Sequence, residues 1–130
     1  MKKMTKGLGL LTVVVLLFAF TGQADAFCVY NRSDKTMTFD QTSGGKVFSD
    51  FRATVDPGQK SCCHWSEKDC NKSGGKTDMV GFNVYYRQAP DPLPPTYVCE
   101  GVTIPACSAL EVTGSYGNYK CVTHGMEICN

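Results

Sequence analysis

Residues 62–70 read CCHWSEKDC and contain three of the eight cysteines, one of the two histidines and the only tryptophan. Successive side chains of an extended strand point to opposite faces of the sheet. We therefore expect one of Cys62 and Cys63 to face the core and the other to face the opposite side or an edge. Cys70 is close enough in sequence to close a short loop with one of them. The stretch predicts a rigid node that disulfides tie to two other segments.

The N-terminal segment, residues 1–26, has the pattern of a signal peptide. A lysine-rich start precedes an apolar run over 8–20, and residues 24–26 (ADA) place small residues where a signal peptidase reads them. The run is short for a transmembrane helix, which needs roughly 20 residues. A retained anchor is the alternative. We predict cleavage after residue 26 and a single β-domain over 27–130, exported to a bacterial periplasm or medium.

The charge of the mature chain excludes some classes of partner. Three of the 13 Lys and Arg and one of the 12 Asp and Glu lie in the signal segment, which leaves a net charge of about −1. Nucleic-acid binding needs clustered positive charge, and attachment to an anionic membrane needs it as well. We expect no nucleic-acid partner and no membrane association after cleavage. The sequence assigns no oligomeric state.

All the cysteines follow the signal segment, at positions Cys28, Cys62, Cys63, Cys70, Cys99, Cys107, Cys121 and Cys129. An even number in a short exported chain predicts four disulfides. Each would add about 2–4 kcal/mol to a typical stability of about 5–15 kcal/mol. Eight cysteines allow 105 pairings, so the sequence does not choose among them. Cys28 and Cys121, in the first and a late strand, are candidates for a bridge that ties the termini.

The rest of the chain consists of short alternating segments separated by Gly, Pro, Asn and Asp. This pattern predicts an all-β, disulfide-braced antiparallel β-sandwich of about eight short strands, or a partly open barrel. Segment 78–86 is apolar enough to be central, whereas 88–96 holds four prolines and is expected to be a loop. The predicted strands are 27–31, 36–41, 50–55, 60–65, 78–86, 97–104, 110–113, 119–123 and 126–129.

Zinc binding is an alternative for the cysteine node, because Cys62, Cys63, His64 and Cys70 are ligand types that zinc accepts. Structural zinc sites usually take ligand pairs that are separated by two to four residues. Three consecutive ligands on an extended strand diverge. A thiol oxidoreductase would need a Cys-x-x-Cys pair at a helix start, and the sequence has none. We therefore predict no metal and no cofactor.

The sequence gives little support for a catalytic site. His64 could be combined with Ser61 or Ser66 and with Asp69, but neighbouring residues on a strand do not converge and no Gly-x-Ser-x-Gly elbow is present. A small hydrolase would need two acids that meet in a concave pocket. We predict no catalytic residue and treat the acids as ordinary strand and turn residues: Asp40, Asp50, Asp78, Glu100 and Glu111.

Binding residues are the better candidates. Trp65 beside the node could stack on a sugar or anchor a partner, although a place in the core under the disulfides is the favoured alternative. The loop over 89–96 is stiffened toward polyproline II and would lose little entropy on docking, unless it is only a crossover between sheets. The predicted partner-binding residues are Trp65, Tyr86, Pro92, Leu93, Pro94 and Tyr97.

The expected function is that of an exported non-enzymatic interaction module that binds a protein or a glycan through rigid loops. The missing catalytic constellation and the stiff loops favour it. The alternatives are a secreted effector, either a small toxin or an enzyme inhibitor, and a carboxylate-based hydrolase.

Overall fold

A computed structural model describes residues 26–45, 51–88 and 93–125. These residues form two four-stranded sheets that pack face to face without closing into a barrel, which confirms the predicted all-β sandwich. Within them, no helix is long and apolar enough to cross a membrane. The strands are β1 (Ala26–Ser33), β2 (Met37–Ser43), β3 (Arg52–Val55), β4 (Lys60–His64), β5 (Met79–Tyr86), β6 (Thr96–Pro105), β7 (Ala109–Ser115) and β8 (Asn118–His124).

The two sheets have the orders β4-β1-β7-β8, here called sheet I, and β3-β2-β5-β6, here called sheet II. The pairs are antiparallel except β1 and β7, which run parallel with Cys28 opposite Ala109. A parallel neighbour needs a long connection rather than a tight turn, and five strands separate β1 from β7. Among the described strands, this pair is the exception to the antiparallel pairing that the sequence predicts.

The core lies between the sheets and follows the predicted alternation. Met37 and Phe39 on β2 are fully buried, and so are Val80, Phe82 and Val84 on β5. As predicted, β5 is central, because it lies between β2 and β6. Burial of such side chains stabilises the fold by about 1.5–3 kcal/mol each. The predicted strand over 126–129 lies outside the described residues.

The connections of the sandwich fall into two sets. Odd-numbered strands run in one direction and even-numbered strands in the other, so the connections after β1, β3, β5 and β7 share one end, here called the Tyr116 end. A hydrogen bond from Thr36 Oγ1 to Asp56 Oδ1, at 2.9 Å, joins two of these connections. The connections after β2, β4 and β6 share the opposite end, here called the Cys70 end.

The cysteine node is built as the alternation predicts. Cys62 faces Cys28 across the β1–β4 pair on the outer side of sheet I, and the two form a disulfide with Cα atoms 4.1 Å apart. The N–H of Cys28 donates to Ser108 O, on the side away from β4, so the two cysteines occupy a non-hydrogen-bonded pair, the closer kind. Cys63 packs on the core and forms a disulfide with the buried Cys70.

A third disulfide, Cys99–Cys121, joins β6 of sheet II to β8 of sheet I at one edge of the sandwich. Cys107 is disulfide-bonded as well, and Cys129 lies outside the described residues. A bridge between Cys28 and Cys121 is therefore wrong, because β1 lies inside sheet I beside β4, whereas β8 faces β6. Oxidised cysteines in these numbers are consistent with an oxidising compartment.

Candidate binding surfaces

The predicted partner-binding residues that the structure describes lie at two ends of the sandwich. Trp65 follows β4 and lies at the Cys70 end, whereas Leu93, Pro94 and Tyr97 precede or begin β6 and lie at the Tyr116 end. Pro92 lies outside the described residues. Among the described residues, Trp65 and the part of the proline loop from Leu93 onward therefore lie at opposite ends of the sandwich.

Trp65 is half-buried and packs against the hydrophobic core without being part of its buried centre. Lys76 Nζ lies 5.2 Å from the centre of its ring, and the His64 ring lies 5.3 Å away. The indole Nε1 is buried and has no hydrogen-bond partner among the described residues. The ring is therefore covered on several sides by its own chain.

Leu93 and Tyr97 are exposed, whereas Tyr86 is buried. The Tyr97 ring lies 5.4 Å from the Tyr85 ring on the outer face of sheet II. Arg87 Cζ lies 5.6 Å from the centre of the Tyr85 ring. Of the four described predicted residues in this region, Leu93, Pro94 and Tyr97 are accessible to a partner and Tyr86 supports the surface from beneath.

Tyr116 is the most exposed large hydrophobic side chain among the described residues, at 92% of its full accessibility. It forms the two-residue turn between β7 and β8 with Gly117, at φ values of 50° and 87°. Two positive φ values in a two-residue hairpin loop define a type I′ turn, which strongly favours Asn-Gly. The sequence signal for this turn is the Tyr-Gly pair between two predicted strands, and Tyr116 is not among the predicted partner-binding residues.

Asp34 fixes the β7–β8 turn to the β1–β2 connection. Its Oδ2 accepts from the N–H of Tyr116 at 3.1 Å, and its Oδ1 accepts from the hydroxyl of Tyr119 at 2.6 Å. The Tyr119 hydrogen bond lowers the pKa of Asp34 below its ordinary value and raises the pKa of Tyr119. The Tyr119 ring also contacts the Tyr86 ring, with centres 5.5 Å apart. The turn is therefore held by both sheets.

A shallow cavity of about 250 Å³ lies on the outer face of sheet I, and sequence reasoning did not predict it. Ala109 lies between Cys28 and His124 in the register across the sheet, and its small side chain leaves room there. The lining residues come from β1, β7 and β8, and they are Tyr30, Arg32, Ala109, Glu111 and His124.

Glu111 is the carboxylate of this cavity, and its side chain is only 12% exposed. Its Oε1 lies 3.2 Å from Arg32 Nε, and its Oε2 lies 2.7 Å from His124 Nε2. Because an ionised carboxylate only accepts hydrogen bonds, Nε2 of His124 carries the proton in this contact. Among the described residues that line the cavity, no second acid faces Glu111, so the paired acids of a glycosidase are not formed here.

The other acids that we considered are dispersed. Asp40 forms a two-point pair with Arg52 on the outer face of sheet II, at 3.0 and 3.1 Å. Asp78 accepts from the N–H of Gly75 at the Cys70 end. Glu100 is exposed on β6, and Asp50 lies outside the described residues.

Two further expectations concern His64. Its Nδ1 lies 2.6 Å from Ser66 Oγ and accepts from the N–H of Ser66 at 3.2 Å. The expectation that the side chains of His64 and Ser66 diverge along one strand is wrong, because β4 ends at His64 and the chain turns back. Zinc ligation by the neighbouring cysteines is excluded by the Cys28–Cys62 and Cys63–Cys70 disulfides, which occupy their sulfur atoms. In the described ranges, no three His, Cys, Asp or Glu residues are grouped to hold a metal.

Comparison with known proteins gave no significant match to a family model, to a curated protein or to a solved structure.

Proposed function

We propose that this chain is an exported, non-enzymatic interaction module that binds a protein or a glycan through the Tyr116 end of its sandwich. Residues 1–26 would direct it to a bacterial periplasm or medium, where the disulfides form. The signal pattern and the oxidised cysteines support export.

The observation that carries the proposal is the conformation of Tyr116. A non-glycine residue in the left-handed region costs about 1–2 kcal/mol, and an asparagine would fit the turn better. The ring is almost wholly in solvent, so it gives the fold little packing in return. Unfavourable backbone geometry that persists at one exposed residue points to a function of that residue.

The surroundings of Tyr116 suit a docking surface. Leu93 and Tyr97 are exposed at the same end. Leu93 precedes β6 and Tyr97 lies near its start, and Cys99–Cys121 fixes this strand beside β8. Rigid aromatic side chains contribute large contact areas at a low entropic cost, and tyrosine is enriched among residues that dominate binding. The hydrogen bonds of Asp34 hold the turn before a partner arrives, which reduces the cost of association.

The test uses the oxidised chain as a probe on protein and glycan arrays, followed by titration of each ligand found. We expect Tyr116→Asn to weaken binding about 30-fold, as for loss of a residue worth about 2 kcal/mol. Its thermal midpoint should not fall, because asparagine suits the turn. Met79→Ala is the matched control, since Met79 is 52% exposed at the opposite end.

Two results would count against the proposal: no ligand on either array, or equal losses in the Tyr116 and Met79 variants. Two further measurements, of the ligand's enzymatic activity and of the growth of a competitor, distinguish the effector alternative. If the ligand is an enzyme whose activity falls on binding, the rigid turn acts as an inhibitor. If the oxidised chain stops the growth of a competitor without any bound ligand, it acts as a toxin.

A further inference from the structure

We infer that the cavity on the outer face of sheet I is a second binding site, separate from the Tyr116 end, that takes one acidic sugar residue of a glycan. The class is defined by chemistry: a pyranose ring that bears a carboxylate or a sulfate. The site does not depend on the function proposed for the Tyr116 end.

Charge distribution is the first argument. The four strands of sheet I contain three cations, Arg32, Lys60 and Lys120, and only one acid, Glu111. All three cations are exposed, and their positions alternate with core residues, which places them on the outer face. The chain as a whole is nearly neutral at +1. Positive charge is therefore concentrated on this face and would attract an anion.

The donors around the cavity suit an oxyanion. Glu111 engages Arg32 through Nε, and the Arg32 side chain is 67% exposed, so other guanidinium donors are accessible. Guanidinium groups bind carboxylate and sulfate oxygens through paired donors. Lys60 Nζ lies 5.9 Å from the centre of the Tyr30 ring, which places a second cation beside the cavity.

Glu111 and Tyr30 make a sugar a better ligand than a bare anion. The Glu111 carboxylate would repel an anion that offers no hydrogen-bond donor, such as bare sulfate. A sugar hydroxyl can donate to the lone pairs of Glu111 that Arg32 and His124 leave open. The Tyr30 side chain lines the same cavity, and an aromatic ring is a suitable surface for the C–H groups of a pyranose.

Size and rigidity fit the same ligand. The cavity of about 250 Å³ is below the roughly 300–1,000 Å³ of sites for drug-sized molecules. One sugar ring is therefore the expected occupant, with the rest of the glycan in solvent. The Cys28–Cys62 disulfide lies in the register row of Ala109 and holds β1 against β4, so the cavity is preformed.

The test follows backbone amide signals of the oxidised, ¹⁵N-labelled chain during titration at neutral pH and constant ionic strength. The probes are methyl glucuronide, the neutral methyl glucoside and inorganic sulfate. We expect methyl glucuronide to shift the signals of Tyr30, Arg32 and Glu111 in a saturable way. The glucoside should bind at least about tenfold more weakly, because it lacks a charge-assisted hydrogen bond.

Arg32→Gln should weaken glucuronide binding about tenfold or more. Arg52→Gln is the matched control, because Arg52 has a similar exposure of 65% and pairs with Asp40 on the opposite sheet. Equal binding of the glucoside, or equal effects of the two arginine variants, would overturn the proposal. If sulfate binds as tightly as the glucuronide, the cavity is a simple anion site, and this result would overturn the proposal as well. Tyr116→Asn should leave these titrations unchanged.

Discussion

Asp34 accepts two hydrogen bonds from a hairpin that is 82 and 85 residues away along the chain. The donors are the N–H of Tyr116 and the hydroxyl of Tyr119, so one carboxylate joins the β1–β2 connection to β7 and β8. The largest effect on its pKa is the Tyr119 hydrogen bond, which favours the ionised form. The arrangement links the rigidity of the proposed docking surface to pH.

The pH dependence has a definite sign. The pKa of folded Asp34 lies below the ordinary 3.8, so its contribution to stability is present above that value and is lost as pH falls through the lowered pKa. The pKa of folded Tyr119 lies above the ordinary 10.0, so its contribution is present below pH 10.0 and is lost as pH rises through the raised pKa. Tyr119→Phe should therefore lower the thermal midpoint at neutral pH, and the difference from the parent chain should shrink at both extremes.

Thermal melts of the parent chain and of Tyr119→Phe across this pH range measure the effect. Tyr97→Phe is the control, because the Tyr97 ring is exposed and makes no hydrogen bond with Asp34. A difference between the parent chain and Tyr119→Phe that stays constant from acid to alkaline pH would contradict the assignment.

At the scale of one element, the β7–β8 hairpin depends on two glycines for different reasons. Gly114 has φ +113°, and a Cβ there would collide with the carbonyl oxygen of Asn118. Gly117 has φ +87°, and a Cβ there would meet nothing within 4 Å. An alanine at position 117 is therefore opposed only by the backbone preference, whereas an alanine at 114 also collides with the opposite strand.

We expect Gly117→Ala to lower the free energy of unfolding by about 1 kcal/mol, the cost of a left-handed non-glycine residue. Gly114→Ala should cost more than about 2 kcal/mol, because the strands must also move apart. Urea unfolding of the oxidised variants gives both values. Equal losses would show that the close approach of Gly114 to Asn118 is not maintained in solution.

The strands themselves were predictable from the sequence because their alternation is a local property. Val80, Phe82 and Val84 recur at every second position, and the opposite directions of Cys62 and Cys63 follow from the same period. Strand pairing is not local. The cavity that we propose as a sugar site depends on the register in which β1 pairs with β7, and the alternation within each segment does not reveal that register.

The conformation of the turns explains the other features that the sequence did not predict. Ser66 reaches His64 because the strand ends one residue earlier than predicted, and strand ends are the least regular part of a strand pattern. The sequence does not reveal the exposure of Tyr116, because that exposure depends on a two-residue turn with positive φ at both positions. A Tyr-Gly pair between two predicted strands therefore indicates a tight turn that holds the tyrosine side chain in solvent.

For the whole molecule, the disulfides differ in what they constrain. Cys63–Cys70 closes a span of seven residues within one region, whereas Cys99–Cys121 closes 22 and joins the two sheets. Because the stabilisation grows with the length of the closed loop, we expect the Cys63→Ala/Cys70→Ala variant to lose about 2 kcal/mol and the Cys99→Ala/Cys121→Ala variant about 3 kcal/mol. Urea unfolding without reductant compares the two, and a larger loss for the first variant would contradict this ranking.

The position of Cys99–Cys121 also makes the two edges of the sandwich different, because it links the sheets covalently at one edge. Among the described residues, it is the disulfide that joins strands of opposite sheets, and it does so at the β6 and β8 edges. The opposite edges, β3 and β4, have no such link, and β3 is only four residues long. Fluctuations that admit water between the sheets should begin at β3 and β4. The edge formed by β6 and β8, next to the turn that carries Tyr116, should stay closed.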